Sequence, residues 1–285
     1  MQLEHLSWFP GHMTKTRRMI RAEINHMDAV CEVVDARIPR SSRNPDINEL
    51  TSGKPRLLLL NRVDQADPAV TRKWSEYFRK QGYAVLEINA KDGTGINQFP
   101  TAVRTLLAEK IQRYEEKGQT GRIIRVMVLG IPNVGKSTFI NKVAKRKAAK
   151  TEDRPGVTRS KQWVPVDKTL ELLDTPGILW PKFDDPQVGI RLAYTGAVKD
   201  EILDMEELAC SLLEYLSSHY PQAITQRYGV EPQPEESGYM ILQRLGKKRG
   251  FLISGGEVNT ERMAQVFLDE FRSGRMGRFS LEEPE

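Results

Sequence analysis

The chain has 285 residues, 39% hydrophobic and 28% charged, which suits one large or two modest soluble domains, and its net charge of +5 does not by itself specify a partner. The longest aliphatic runs are of strand length (LLLL at Leu57–Leu60), far short of the ~20 apolar residues a membrane helix needs, and the start MQLEHLSWFPGHM lacks the basic-then-apolar pattern of a signal peptide. Cys31 and Cys210 lie far apart among apolar neighbours and, with four scattered histidines, make no zinc site; two reduced core thiols in a monomeric cytoplasmic protein are the expectation.

Residues 14–27 place Ile20, Ile24 and Met27 at i, i+4 and i+7, one apolar helical stripe with Arg17, Arg18 and Arg21 elsewhere on the surface. AVCEVVD (29–35) reads as a buried strand, and further strand-like runs follow at 56–60, 84–88, 123–129 and 170–173. Helical patterns lie between them over 67–81, 97–116 and 137–147, and EEKGQTGR (115–122) reads as an exposed connection. Strands alternating with helices imply βαβ units and a mostly parallel sheet covered on both faces. After about residue 180 the strand patterns stop. Residues 204–219 form an apolar helical stripe with Asp204 as N-cap, ended by Pro221. EPQPEES (231–237) is a linker, and 238–247 and 258–272 again suit amphipathic helices. The expected organisation is therefore an α/β domain over 1–180 and an all-α domain over 181–285.

GIPNVGKS (130–137) follows the apolar run IIRVMVL and precedes the helical STFINKVAKR, the setting in which G-x-x-x-x-G-K-[ST] marks a phosphate-binding loop. Gly130 and Gly135 let the backbone curl so that its N–H groups face a phosphate chain, with the helix N-terminus adding partial positive charge. Candidate contacts run through Asn133, Val134, Gly135, Lys136, Ser137 and Thr138. Lys136 would reach the β- and γ-phosphates, and Ser137 would offer its hydroxyl to Mg²⁺. Downstream, LELLDTPG places Asp174 at a strand end, suited to holding Mg²⁺ through water, and Gly177 where its N–H can meet a γ-phosphate. Between them RPGVT offers Thr158 as a further metal ligand.

LLLLNRVD (57–64) ends a strand in a candidate guanine-reading loop. Asp64 can accept from N1–H and the 2-amino group of guanine. Adenine offers neither donor and would leave the carboxylate unpaired. Asn61 would brace the neighbouring loop, and LEINAKDG supplies Asn89, Ala90 and Lys91 to reach the guanine oxygen and cover the ring. These loops precede the phosphate loop, the reverse of the usual order. A pocket at the carboxyl ends of adjacent strands does not depend on chain order, so the motifs predict a circularly permuted Ras-like GTPase domain.

The permuted order, the leader WFPGHM (8–13) and DARIP (35–39) resemble the ribosome biogenesis GTPase A family of large-subunit assembly factors. The resemblance covers the GTPase domain and the helical tail. It implies GTP and GDP as substrate and product, binding to the maturing large ribosomal subunit and its rRNA, and hydrolysis that promotes release. Arg62 stands where such loops usually carry lysine, and Asn89 where they carry serine. Ile178 follows DTPG near the place where Ras-like enzymes use a glutamine to orient water. The resemblance suggests two substitutes: Asn133 helping to bind K⁺ beside the phosphates, and His12 positioning water.

Two basic clusters are candidate RNA contacts. One is Lys142, Lys145, Arg146, Lys147, Lys150, Arg154, Arg159 and Lys161; the other is RLGKKR (244–249), with Arg262, Arg272, Arg275 and Arg278 beyond it. Two other readings stay open from sequence alone: a GTPase acting on a non-ribosomal RNA, and a nucleotide switch with negligible hydrolysis.

Overall fold

The computed structural model describes residues 10–144, 162–180, 183 and 185–285, the side chains of 10–13 lying outside that set. Among the described residues the chain divides into two compact units: one holds Asp185–Phe279, the other the described residues before it together with Ser280–Glu285. The return of the last six residues to the first unit was not anticipated by the sequence division at residue 180.

The first unit is built on one six-stranded sheet: β1 Ala29–Asp35, β2 Arg56–Asn61, β3 Ala84–Glu87, β4 Ile124–Gly130, β5 Gln162–Asp167 and β6 Leu170–Asp174, in the order β3-β2-β1-β4-β6-β5. All neighbours pair in parallel except β5 with β6. Every residue of β1 and β2 is buried, as a sheet covered on both faces requires. Helices α1 Pro10–Glu23, α2 Asp46–Leu50, α3 Pro68–Lys80, α4 Phe99–Leu106, α5 Ala108–Glu116 and α6 Lys136–Val143 complete the unit. Val34, Leu58 and Leu60 alternate onto one face with Val70, Trp74 and Phe78 of α3. Val30, Met127 and Leu129 pack with Ile20 of α1, Ile47 and Leu50 of α2, and Ile178. Asp67 caps α3 by accepting from the N–H groups of Ala69 and Val70, with Pro68 at the first helical position.

The strand order reverses between β1 and β4, which makes that boundary the switch point where such sheets bind ligands. Register brings the strand ends level: Asp35 pairs with Asn61 and Val33 with Gly130.

Four features depart from the sequence expectation. Strand β5 was not read, because Pro165 and exposed alternate residues mark an edge strand, where a proline without an N–H to donate is tolerated, here beside a register shift between Pro165 and Asp167. The single helix expected over 97–116 breaks at Leu107 into α4 and α5. The helix expected to 147 ends at Val143, with Ala144 as its C-cap. Cys31 is a buried thiol, whereas Cys210 is part-exposed rather than a core residue.

The second unit consists of α7 Pro186–Tyr194, α8 Met205–His219, α9 Pro221–Tyr228, α10 Gly238–Lys248 and α11 Thr260–Arg272. Asp204 does cap α8, accepting from Glu207 N–H at 2.9 Å. Pro221 both follows α8 and opens α9, because proline suits the first helical turn. Leu208, Leu212, Ile241, Leu245, Met263 and Phe267 form the shared core of α8, α10 and α11. Among the described residues, no helix is long and apolar enough to cross a membrane.

Candidate nucleotide site

Four loops meet at the carboxyl end of the sheet, and one side chain joins three of them. Asn61, the last residue of β2, donates from Nδ2 to the Val134 carbonyl of the phosphate loop at 2.8 Å. Its Oδ1 accepts from the Ala90 N–H of the loop after β3 at 3.0 Å. Gly135 passes so close that a Cβ there would lie 2.3 Å from Asn61 Nδ2, and its φ of 93° is itself left-handed. The NRVD loop, distant in sequence from GIPNVGKS, is thus bonded to it directly, and the NAK loop is joined to it through Asn61.

Arg62 adds a second tie. Its Nη2 donates to the Asn133 carbonyl at 2.8 Å. Arg62 and Asn133 are the two non-glycine residues with positive φ, at 65° and 57° among the described residues. Such a conformation costs a non-glycine residue energy unless neighbours hold it, and here each holds the other. Arginine therefore packs across the phosphate loop where lysine is usual.

Asp64 follows in the same loop. Its Oδ1 is buried and has no hydrogen-bond partner among the described residues. A buried carboxylate oxygen without a donor is costly, and a ligand bearing N–H groups satisfies it. Asn89 spends its side chain locally: Nδ2 donates to Asp92 Oδ2 at 2.7 Å and Oδ1 accepts from Lys91 N–H at 3.0 Å. It shapes the ring loop, and Asp92, which the sequence reading had not singled out, shapes it with Asn89 by accepting from Thr94 N–H. Lys91 is exposed, and its carbonyl accepts from Lys142 Nζ of α6 at 3.3 Å.

Lys136 Nζ lies 2.6 Å from Asp174 Oδ1, with both side chains at most 5% exposed. The other carboxylate oxygen, Asp174 Oδ2, is buried without a partner among the described residues. Ser137 and Thr138 open α6, both half-buried. Thr175 Oγ1 donates to the Val128 carbonyl, and a Cβ on Gly177 would lie 2.9 Å from Pro132 N, so glycine alone permits this approach to the phosphate loop. Ile178 donates its N–H to the Gly130 carbonyl and buries its side chain beside Ile20 and Leu173. It is a core anchor for the segment after β6 and does not stand where a water-orienting side chain would. Thr158 and the basic residues from Lys145 to Lys161 lie outside the described residues, as does the His12 side chain.

DARIP proves to be part of the site's frame. The Asp35 carboxylate accepts from Arg37 at 2.7 and 3.0 Å and lies 3.7 Å from Arg62 Nε. Burial pushes its pKa up, but the guanidiniums of Arg37 and Arg62 outweigh burial and hold it below the usual carboxylate range. An acid and a base two residues apart just after a buried strand was the signal available in sequence.

In the helical unit the basic cluster divides. Arg244 donates to Glu236 at 2.5 Å, and Arg249 pairs with Glu270. Arg272 bonds Asp200 and the carbonyls of Ala193 and Tyr194, so it is a tie between helices and not a free phosphate contact. Lys247, Lys248, Arg275 and Arg278 are exposed, as is Arg262, whose guanidinium lies 4.4 Å from the centre of the Phe251 ring.

A phosphate loop ending β4, a carboxylate ending β6 and a base loop ending β2 around one switch point define a circularly permuted P-loop GTPase. The family model described as "50S ribosome-binding GTPase" matches residues 125–228. Ribosome biogenesis GTPase A of Bacillus licheniformis is 49% identical over 98% of this chain and 99% of its own length. The Thermotoga maritima protein of the same name is 31% identical over 98% of this chain and 95% of its own. The GNP-bound structure of YlqF from T. maritima superposes with a TM-score of 0.65 at 28% identity, covering 95% of this chain and 99% of that one. The chain belongs to the ribosome biogenesis GTPase A family, and is a guanine-nucleotide-binding, GTP-hydrolysing enzyme of ribosome biogenesis.

Proposed function

We propose that the protein binds the maturing large ribosomal subunit through its rRNA and hydrolyses GTP to GDP and phosphate during assembly, working as a monomer in the cytoplasm. The observation that carries the pocket is Asn61, bonded at once to the phosphate loop and the ring loop. The large-subunit partner rests on the description of the family model and on the relatives' names.

In this reading Asp64 Oδ1 takes the guanine donors it otherwise lacks, and the backbone N–H groups around Val134, Gly135 and Thr138 take phosphate oxygens. Ala90 contributes its backbone to the base subsite, and Lys91 and Arg62 flank it. Lys136 moves its charge from Asp174 to the phosphates. The freed Asp174 carboxylate, with Ser137 and Thr158, has the oxygen donors that Mg²⁺ prefers, and Asp174 Oδ2 is already buried and unpartnered. When bound, Mg²⁺ neutralises developing phosphate charge. Gly177 N–H meets the γ-phosphate. Ile178 leaves the attacking water to other groups, and Asn133 with K⁺ and His12 are the proposed substitutes. Residues 174–185 join the γ-phosphate contact to the helical unit in sequence, which gives hydrolysis a covalent route to Lys247, Lys248, Arg275 and Arg278 as rRNA phosphate contacts.

The test is GTP turnover with and without large subunits, in KCl and in NaCl at equal ionic strength. Large subunits in KCl are expected to raise turnover by about tenfold or more over the isolated protein, and NaCl to remove most of that gain. Stimulation by transfer RNA but not by subunits would favour a non-ribosomal RNA. No turnover in any arm would make the protein a nucleotide switch alone.

A further inference from the structure

Chain termini usually fray unless something ties them down, and the six C-terminal residues are tied in several places. Leu281 N–H donates to the Arg37 carbonyl at 2.9 Å. The Glu282 carboxylate is buried and accepts from Ser41 Oγ at 2.6 Å, Ser41 N–H at 3.0 Å and Arg40 N–H. The Glu282 carbonyl accepts from Trp74 Nε1 at 3.1 Å. Exposed pairs join Glu283 to Lys73 and Glu285 to Arg40. The surface they grip is the turn after β1, and that turn begins with Asp35, the carboxylate shared by Arg37 and Arg62. Arg62 in turn holds the Asn133 carbonyl.

We propose that this tail is a positioning element of the nucleotide site. Seated on residues 37–41, it fixes the turn that sets Asp35. Asp35 fixes Arg62, and Arg62 keeps Asn133 in its left-handed conformation across the phosphate loop. Leu281 and Asp35 act on the two sides of one residue, Arg37: the backbone carbonyl is held by the tail and the guanidinium by the carboxylate. Loss of the tail lets that residue shift, and the Arg62–Asn133 bond loosens with it. Because coupling between bound states is reciprocal, nucleotide then stabilises tail seating by the same factor by which the tail stabilises nucleotide. The inference rests on the assignment of Arg62 and Asn133 to the pocket made above.

The experiment is release of a fluorescent GDP analogue from the full chain carrying Arg62→Ala, Glu282→Ala, both, or Arg113→Ala. Each of the first two is expected to speed release by about fivefold or more, and the double variant to match the faster single one within about twofold, as for residues acting in one line. Arg113→Ala, which removes only an exposed pair with Glu109 on α5, is expected to release at the parent rate. A fast Arg62→Ala with a parent-like Glu282→Ala, or a double variant equal to the product of the two effects, overturns the tail's role. A parent-like Arg62→Ala overturns the pocket assignment instead. Should Glu282→Ala fail to fold, hydrogen exchange at Leu281 in the unmodified protein decides: slower exchange with GDP supports the coupling, and equal exchange overturns it.

Discussion

Both units of this protein bury carboxylates against cations, and they put them to different use. In the α/β unit two buried groups stand at the carboxyl ends of strands, Lys136–Asp174 and Asp35–Arg37–Arg62, while a third, Glu32 with Arg43 and Arg56, ties the sheet itself. In the helical unit Glu270 of α11 gathers Arg227, Arg249 and Tyr228, and Arg272 bridges to Asp200. The first two border the proposed nucleotide pocket, where Lys136 is expected to exchange Asp174 for phosphate. The second set ties helices and has no ligand to answer. Where a charge stands in the fold, more than how densely charges cluster in sequence, decides whether it is available for binding.

The largest expected effect separates the two kinds of pair. Lys136→Ala should lower GTP affinity about 100-fold by titration calorimetry, since a charge-assisted contact to phosphate is worth roughly 1.5–3 kcal/mol and more than one is lost. A loss below about threefold would make Lys136–Asp174 a structural pair like those of the helical unit.

Glu270→Gln probes the other side. The hydrogen bond from Arg227, helped by Tyr228 and Arg249 and opposed by burial, lowers the Glu270 carboxyl to about 2 from an ordinary 4.5. A depressed folded pKa contributes stability that is fully present above pH 4.5 and is lost as pH falls through about 2. The substitution should therefore cost about 2 kcal/mol at pH 7, a figure discounted because Arg227 and Arg249 are about one-third exposed, and should flatten the acid limb of the melting curve between those two pH values. GTP affinity should not move.

The smallest effect is on RNA. Replacing Lys247 and Lys248 with alanine should reduce the log–log salt slope of subunit binding by about 2, roughly one counterion per lysine, and weaken binding modestly. Arg272→Ala should instead lower thermal stability, because its bonds are internal. A parent-like salt slope in the lysine pair would place the RNA contact elsewhere, with Lys142 and residues 145–161 the next candidates.

Much of this was legible before the structure. Five of the six strands announced themselves as continuous apolar runs, and Asp204 as a helix cap. The placement of Asn61 at the end of β2, of Asp64 in the loop after it and of Lys136 at the start of α6 was legible, because the expected chemistry asks for a given residue type at each. Strand β5 was not, because an edge strand with Pro165 and one exposed face carries a diluted pattern. The part played by Asp35 was hidden for a different reason: its partner Arg62 is 27 residues away, and only the register of β1 against β2 brings them together. The tail was hidden by distance alone, since nothing in SLEEPE says that Glu282 returns to Ser41. Charge counts misled where acids far along the chain claim the arginines, as with Arg272.

The central claim is that a loop preceding the phosphate loop in sequence reads the base, and nucleotide competition with Asp64→Asn tests it most directly. Asparagine offers an amide donor to the 2-oxo group of xanthine and cannot accept both guanine donors. The variant should lose GTP affinity and prefer xanthosine triphosphate by about tenfold or more, while the parent protein prefers GTP. If Asp64→Asn retains the parent's preference for GTP over xanthosine triphosphate, the base is read elsewhere and the permuted pocket as drawn is wrong.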